Sequence, residues 1–327
     1  MHSGDCTGRQ EPLLRAEHIC KTFPVGKRLL TAVSDVSFTL NRGEMLGIVG
    51  ESGCGKSTLA RIISGSLPAS SGSLTLNGVD YLKLKGAQRR VFRRNIQMVF
   101  QDPLSSFSPR MKIGTYLMEP RRNYDHIPKT QALAEARELL EQVGLPPGFA
   151  DRYPHELSGG QLQRVAIARA IAIQPALLLC DEATGALDVS IQSQIAELLV
   201  RIVAEKNIGC IFIGHDPALV RSIARRIAVM YLGKIVELLP SQALEEESRH
   251  PYTRALLDSI FDVYCDPGEE IRLLQGEPPS PLQVQEGCAF APRCPLCTER
   301  CYRETPELRA VGDEHSVACF QSDTAAN

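Results

Sequence analysis

The sequence predicts an α/β fold with a parallel core, and three observations carry that expectation. Short apolar runs at residues 45–49, 96–101, 176–180 and 209–213 read as strands buried on both faces. Helical patterns at 57–64, 161–173 and 191–206 alternate with them, as βαβ connections require. A glycine-rich turn joins the 45–49 run to the helix at 57–64.

The remaining elements follow in chain order. Residues 1–12 are polar and read as loose. Residues 13–19 and 33–40 roughly alternate apolar with polar, so strands are expected, with a turn at Asn41-Arg42-Gly43-Glu44. Residues 73–79 read as an edge strand ending at the turn signal Asn77-Gly78, which gives the core an antiparallel β edge. Helices are expected at about 112–122 and 129–143, bounded by prolines and Gly144, within a helical subdomain of about 104–170. After about Val236 the pattern changes. A short helix is expected at 250–259, a Pro-, Glu- and Gly-rich linker at 265–287, and a small Cys-rich tail at 288–320. The expected organisation is a main domain at 13–240, a helix and linker at 241–287, and the tail.

Composition narrows the function. The 327 residues are 43% hydrophobic and 23% charged, with net charge -2. That balance gives no electrostatic reason to expect nucleic acid as a partner. Met1 to Arg15 lacks a signal pattern, and no apolar run is long enough to cross a bilayer. A reducing cytoplasm is therefore expected, and in it the 11 cysteines read as core thiols or metal ligands.

Gly50-Glu51-Ser52-Gly53-Cys54-Gly55-Lys56-Ser57, followed by Thr58, fits the phosphate-binding P-loop pattern, with a strand before it and a helix after it. Its backbone N–H groups and helix N-terminus suit phosphates. Lys56 is expected to reach the β- and γ-phosphates, and Ser57 to ligate Mg²⁺. A second strand, ending in Asp181-Glu182, delivers two carboxylates to its C-terminal end. Asp181 is expected to hold Mg²⁺, directly or through water, and Glu182 to polarise the attacking water. At Ser158-Gly159-Gly160-Gln161 the serine can cap the helix that follows, leaving glycine donors open. A second anion site and an ordinary capped helix both fit that segment alone.

The set reads in order: P-loop, Gln101, Leu157-Ser158-Gly159-Gly160-Gln161, Asp181-Glu182, Ala186-Leu187-Asp188 and His215. Across residues 13–240 it resembles the ATP-binding cassette (ABC) family of P-loop NTPases. The resemblance implies a two-subunit sandwich, with ATP between the P-loop of one subunit and the Ser158–Gln161 segment of the other. It implies that Gln101 touches Mg²⁺ and the attacking water, that His215 contacts the γ-phosphate, and that Asp188 organises the opposing site. It makes Phe23 the aromatic that stacks on adenine, where the residue alone reads equally as a core phenylalanine.

Further segments resemble the ATPase subunits of oligopeptide, dipeptide and nickel importers. They are Ile48-Val49-Gly50-Glu51-Ser52-Gly53-Cys54-Gly55-Lys56-Ser57, Met98-Val99-Phe100-Gln101-Asp102-Pro103, Ala186-Leu187-Asp188-Val189-Ser190, Met230-Tyr231-Leu232-Gly233 and His250-Pro251-Tyr252-Thr253. Residues 94–100 look more like the second of the two ATPases in such systems. The resemblance thus implies ATP hydrolysis driving peptide import, with nickel or metal-chelate import as the alternative. It also implies a heterodimer with a homologous ATPase, two transmembrane permease subunits, an extracytoplasmic solute-binding protein, and a place on the cytoplasmic face of the inner membrane. A soluble cassette ATPase of translation or DNA repair fits less well, since the chain lacks a second cassette, a coiled-coil insertion and a basic surface signal. Gly185, Gly214, Pro217 and Phe107-Ser108 depart from the pattern. None removes a catalytic group.

Cys288, Cys294, Cys301 and Cys319 match the tail pattern of this branch, and Cys297 is additional. Clustered thiolates suit Zn²⁺ or an iron–sulfur cluster, while reduced thiols packed on the main domain fit as well. The resemblance implies a [4Fe–4S] cluster in some members. By resemblance too, Phe107, Pro109, Met111 and Tyr116 line a groove for a permease helix. Arg89, Arg90, Arg93 and Arg94 read as a solvated helix face or a membrane contact.

Overall fold

A computed structural model describes residues 11–102, 104–183, 185, 188–261, 279 and 286–322. The chain opens with a long hairpin, β1 (Leu14–Val25) and β2 (Arg28–Leu40), then β3 (Met45–Val49) and α1 (Lys56–Ile63). β4 (Ser71–Leu76) turns through Asn77-Gly78 into β5 (Val79–Asp80), and α2 (Gly86–Phe92) leads to β6 (Ile96–Val99). The helical segment holds α3 (Ile113–Tyr124), α4 (Lys129–Gln142) and α5 (Gly159–Ile171). The core resumes with β7 (Leu177–Asp181), α6 (Val189–Lys206), β8 (Gly209–Ile213), α7 (Pro217–Ile223), β9 (Arg226–Tyr231) and β10 (Lys234–Pro240). The C-terminal part contributes α8 (Pro251–Phe261), α9 (Glu299–Arg303), β11 (Arg309–Gly312) and β12 (His315–Val317).

Two sheets result among the described residues. The smaller is antiparallel, in the order β2-β1-β4-β5. The larger runs β11-β12-β10-β9-β3-β8-β7-β6, and β9 to β6 form its parallel part. Alternation decides which face each side chain serves. Leu46, Ile48, Leu177, Leu179, Ile211 and Ile213 point into a core shared with α1 and the antiparallel sheet. Met45, Val49, Leu178, Cys180, Cys210 and Phe212 point into the other, shared with the helices. Both faces are covered, which is why these strands read as continuous apolar runs.

The tail differs from its sequence reading as an appendage. β12 pairs with β10, with Glu237 opposite Val317, so the tail extends the main sheet. Phe290 is 1% exposed and belongs to the helical-side core. β4 is likewise an inner strand of its sheet, whose edges are β2 and the two-residue β5. The linker at 265–287 lies almost wholly outside the described residues. The arginine run is more engaged than a solvated face: Arg89 and Arg93 donate to the Gly65 carbonyl, and Arg94 pairs with Asp125.

Candidate nucleotide-binding site

The P-loop follows β3, a strand with every residue buried. Gly50 has φ 151°, and a Cβ there would lie 2.1 Å from the Met230 carbonyl oxygen. Gly55, the N-cap of α1, has φ 107°, and a Cβ would lie 2.2 Å from the Ala32 carbonyl oxygen. Glycine is therefore required at both positions by close backbone approach. No side chain caps α1, so its N-terminal donors stay open to an anion.

Lys56 is 5% exposed, and its ammonium donates to the carbonyls of Gly50 at 2.6 Å and Glu51 at 2.9 Å. These neutral partners belong to the loop itself. Ser57 Oγ donates to Asp181 Oδ1 at 3.0 Å, linking the loop to the end of β7. Burial pushes the Asp181 carboxyl above its ordinary value, the Ser57 hydrogen bond pulls it down, and neighbouring Glu182 pushes it up again. Burial also raises the Cys54 thiol, against the pull of Lys56.

Glu182 leaves the strand at φ 48°, a left-handed conformation rare for this residue type. Its N–H is held by the Ile213 carbonyl at 2.9 Å, and its own carbonyl accepts from Gly185. Gly185 marks where the side chains of Gln101 and His215 approach the turn that follows Glu182. A Cβ there would lie 3.5 Å from Gln101 Nε2, 3.5 Å from His215 Cε1 and 3.6 Å from the Glu182 carbonyl oxygen. Gln101 follows β6, Glu182 follows β7 and His215 follows β8. Three adjacent parallel strands thus deliver them to one end of the sheet, beside the Ser57–Asp181 contact.

The second segment sits apart, at the start of α5. Ser158 caps the helix by accepting from Gln161 N–H at 3.4 Å, and Gln161 Oε1 accepts from Ser158 N–H at 3.0 Å. This is a reciprocal capping box. Ser158 and Gly159 are exposed, while a Cβ on Gly160 would press on Ile191 at 2.7 Å. Asp188 is the exposed N-cap of α6, and its side chain makes no capping bond.

Some expectations do not assemble. Phe23 lies in β1 opposite Leu30, with the Lys21 ammonium 5.0 Å over its ring. The small cleft at the P-loop is lined by Glu51 to Cys54, Tyr231 and Leu232 rather than by Phe23. Phe107 and Tyr116 are buried, with tilted rings whose centroids lie 4.2 Å apart, so Phe107 packs within the helical segment. The cavity there is bordered instead by Gln97, Met98, Phe100 and Arg169, along with one side of Tyr116.

The expected metal site on Cys288, Cys294, Cys301 and Cys319 finds no support in the structure. All four border one small cavity with Phe290 and Leu296. Among the described residues, however, no group of three or more Cys, His, Asp or Glu is placed to hold a metal ion. Burial raises the thiols of Cys288 and Cys319, and pushes Cys294 up to about 12.

Sequence reasoning also missed residues at the site. Arg293 pairs with Glu51, and the Tyr252 hydroxyl accepts from the Glu51 N–H at 2.9 Å. These partners lie 242 and 201 positions away in the chain, so no local signal could have found them.

Comparison with known proteins agrees with this geometry. Residues 33–185 match the family described as ABC transporter, and residues 236–301 match the oligopeptide/dipeptide transporter C-terminal region. The chain is 46% identical over 326 residues to a probable peptide ABC transporter ATP-binding protein of Sinorhizobium fredii, covering 97% of this chain and 92% of the relative. It is 44% identical over 299 residues to the oligopeptide transport ATP-binding protein OppF of Escherichia coli, covering 90% and 89%. Among solved structures, it is similar to a dimeric ATP-binding cassette in a post-hydrolysis state bound to ADP and Pi. There the TM-score is 0.64 at 28% identity, covering 70% of this chain and 98% of the other. The P-loop, the carboxylate pair after β7 and these likenesses together show that the chain belongs to the ABC transporter ATPase family, in the branch that carries the oligopeptide/dipeptide transporter C-terminal region.

Proposed function

We propose that the chain is the ATP-hydrolysing subunit of a peptide importer. The observation that carries the reading is the approach of the Gln101 and His215 side chains to the turn after Glu182, which directly follows the Asp181 that Ser57 contacts. Peptide is favoured over nickel because the relatives compared above are named for peptide or oligopeptide transport.

Ser57 and Asp181 present hard oxygen donors side by side, a donor set that fits Mg²⁺. When bound, the ion would neutralise charge on the β- and γ-phosphates. The chain's own residues do the rest. Lys56 exchanges its loop carbonyls for phosphate oxygens. Glu182 orients a water and accepts its proton as the water attacks the γ-phosphorus, whose bond to the β–γ bridging oxygen breaks to release ADP and inorganic phosphate. Gln101 holds the same water, and His215 donates to a γ-phosphate oxygen, where negative charge gathers. Ser158, Gly159 and Gly160 serve the nucleotide of the facing subunit, and Asp188 shapes the interface beside them. Phe23 is the aromatic that would stack on adenine.

Hydrolysis needs positioning and charge stabilisation more than covalent chemistry, so a site completed by a second chain makes closure depend on ATP. A homologous ATPase would supply the facing half. Two permease subunits would seat against the exposed Phe100 and Leu104 beside the Gln97–Arg169 cavity, and a solute-binding protein would present the peptide. Among the described residues no helix is long and apolar enough to cross a membrane, so contact with the inner membrane's cytoplasmic face would run through the permeases. Metal on the tail thiols forms no part of this reading.

The test is equilibrium binding of Mg-ATP to the full chain and to its Lys56→Ala variant. Loss of a charge-assisted phosphate contact should weaken binding by about 100-fold. Equal affinities for the two proteins would sink the assignment.

A further inference from the structure

The C-terminal tail grips the phosphate-binding loop. Arg293 ends a short turn, Ala291–Arg293, and its guanidinium takes both carboxylate oxygens of Glu51, at 2.9 and 3.0 Å. Only 5% of the Arg293 side chain is exposed, against 25% of Glu51. The same guanidinium donates to the Tyr231 hydroxyl at 3.4 Å. From α8, the Tyr252 hydroxyl holds the Glu51 backbone N–H. Phe290 packs edge-on against both tyrosines, at 5.3 and 5.5 Å between ring centroids. Beneath the loop, Gly233 N–H donates to the Cys54 carbonyl at 2.8 Å.

Glu51 is the acidic residue of the P-loop segment 50–57. It puts a carboxylate into a loop whose other features favour polyphosphate. An unneutralised carboxylate there would repel each phosphate group, more strongly where the loop is shielded from water. A bidentate guanidinium cancels the charge and holds the carboxylate on the tail side of the loop.

We propose that Arg293 is a positioning residue for nucleotide: by pairing with Glu51 it relieves a built-in repulsion, so that seating of the C-terminal tail sets the affinity of the loop for Mg-ATP. The inference rests on the reading of the loop as the ATP site. It makes the tail part of the nucleotide-binding apparatus of its own subunit, not an attachment to it. A tail displaced by a membrane partner would uncover Glu51 and loosen nucleotide.

The experiment compares Mg-ATP and AMP binding to the full chain as wild type, Arg293→Ala, Arg293→Lys and the Arg293→Ala/Glu51→Gln double variant, at low and high salt. Arg293→Ala should lose about ten-fold in Mg-ATP affinity, and the loss should shrink at high salt. AMP, with fewer charges, should lose less. Arg293→Lys should recover part of the affinity, and the double variant most of it. A purely structural anchor predicts otherwise: the double variant would bind no better than Arg293→Ala, and ATP and AMP would lose equally. Either of those results, or wild-type affinity in Arg293→Ala, overturns the proposal. Should Arg293→Ala fail to fold, Arg293→Lys and the double variant still decide through the salt and ATP-versus-AMP comparisons. Wild-type protein that ignores Mg-ATP, or matches Lys56→Ala, would instead overturn the ATP site itself.

Discussion

The P-loop and the base of the C-terminal tail both bury charge, but they satisfy it differently. Lys56 is 5% exposed and rests on two carbonyls of its own loop. Glu237, on β10, is 0% exposed and accepts from Arg249 N–H, His250 N–H and His315 Nε2, at 2.6, 3.1 and 2.9 Å. Burial alone would raise the Glu237 carboxyl, yet these partners and Thr253 outweigh it and hold it below the ordinary value. The Lys56 partners can be traded for phosphate oxygens. Those of Glu237 cannot leave without stranding a buried carboxylate. One arrangement is a site in waiting, and the other fastens the tail to the sheet.

The largest test of this contrast falls on the exchangeable side. Glu182→Gln should cut steady-state ATP hydrolysis by about 10²- to 10⁴-fold in the assembled transporter while leaving ATP binding in place. Undiminished turnover would remove Glu182 from the chemistry. On the permanent side, Glu237→Ala should destabilise the folded chain by about 3–5 kcal/mol, read from denaturant unfolding, because His315 and two backbone donors lose their shared acceptor. A shift below about 1 kcal/mol would mean the cluster is not a fastening.

The smallest effect is the acid response of the same cluster. Burial pushes the His250 imidazole down to about 4, against a milder upward pull from Glu237. Below its unfolded value of about 6.5 the unfolded chain binds a proton that the folded chain refuses, so stability falls as pH drops from about 6.5 towards 4. The loss should total about 3 kcal/mol in denaturant unfolding followed across pH. Glu237 adds to it only at lower pH, as its carboxylate takes a proton. His250→Asn should flatten the upper part of the slope, and an unchanged slope would place the titration elsewhere.

Much of the nucleotide region was legible in the sequence because its signals are local. The run at 45–49 became β3 end to end, and the loop, the carboxylate pair and the Ser158 cap stand where spacing put them. Signals failed where pairing is long-range. The tip of the β1–β2 hairpin reaches Val25 and Arg28, beyond either expected strand, since a turn at Gly26 leaves little periodicity to read. α7 was missed because it spans only Pro217–Ile223, too short for a helical pattern. β9 and β10 carry Arg226, Lys234 and Glu237 among their apolar residues, and their role depends on β3 on one side and β12 on the other. Phe107 read as a groove residue, yet its burial depends on Tyr116 from another element.

The pairing of β12 with β10 has a consequence for how safely this chain exists alone. Without that addition the sheet would end in a seven-residue strand whose unpaired amides could recruit a stranger. The strand that takes the outer position, β11, is four residues long and carries Arg309, a blunt and charged hem. A chain clipped just before residue 286 should therefore cling to its own copies, and the terminal hairpin acts as a guard against clumping.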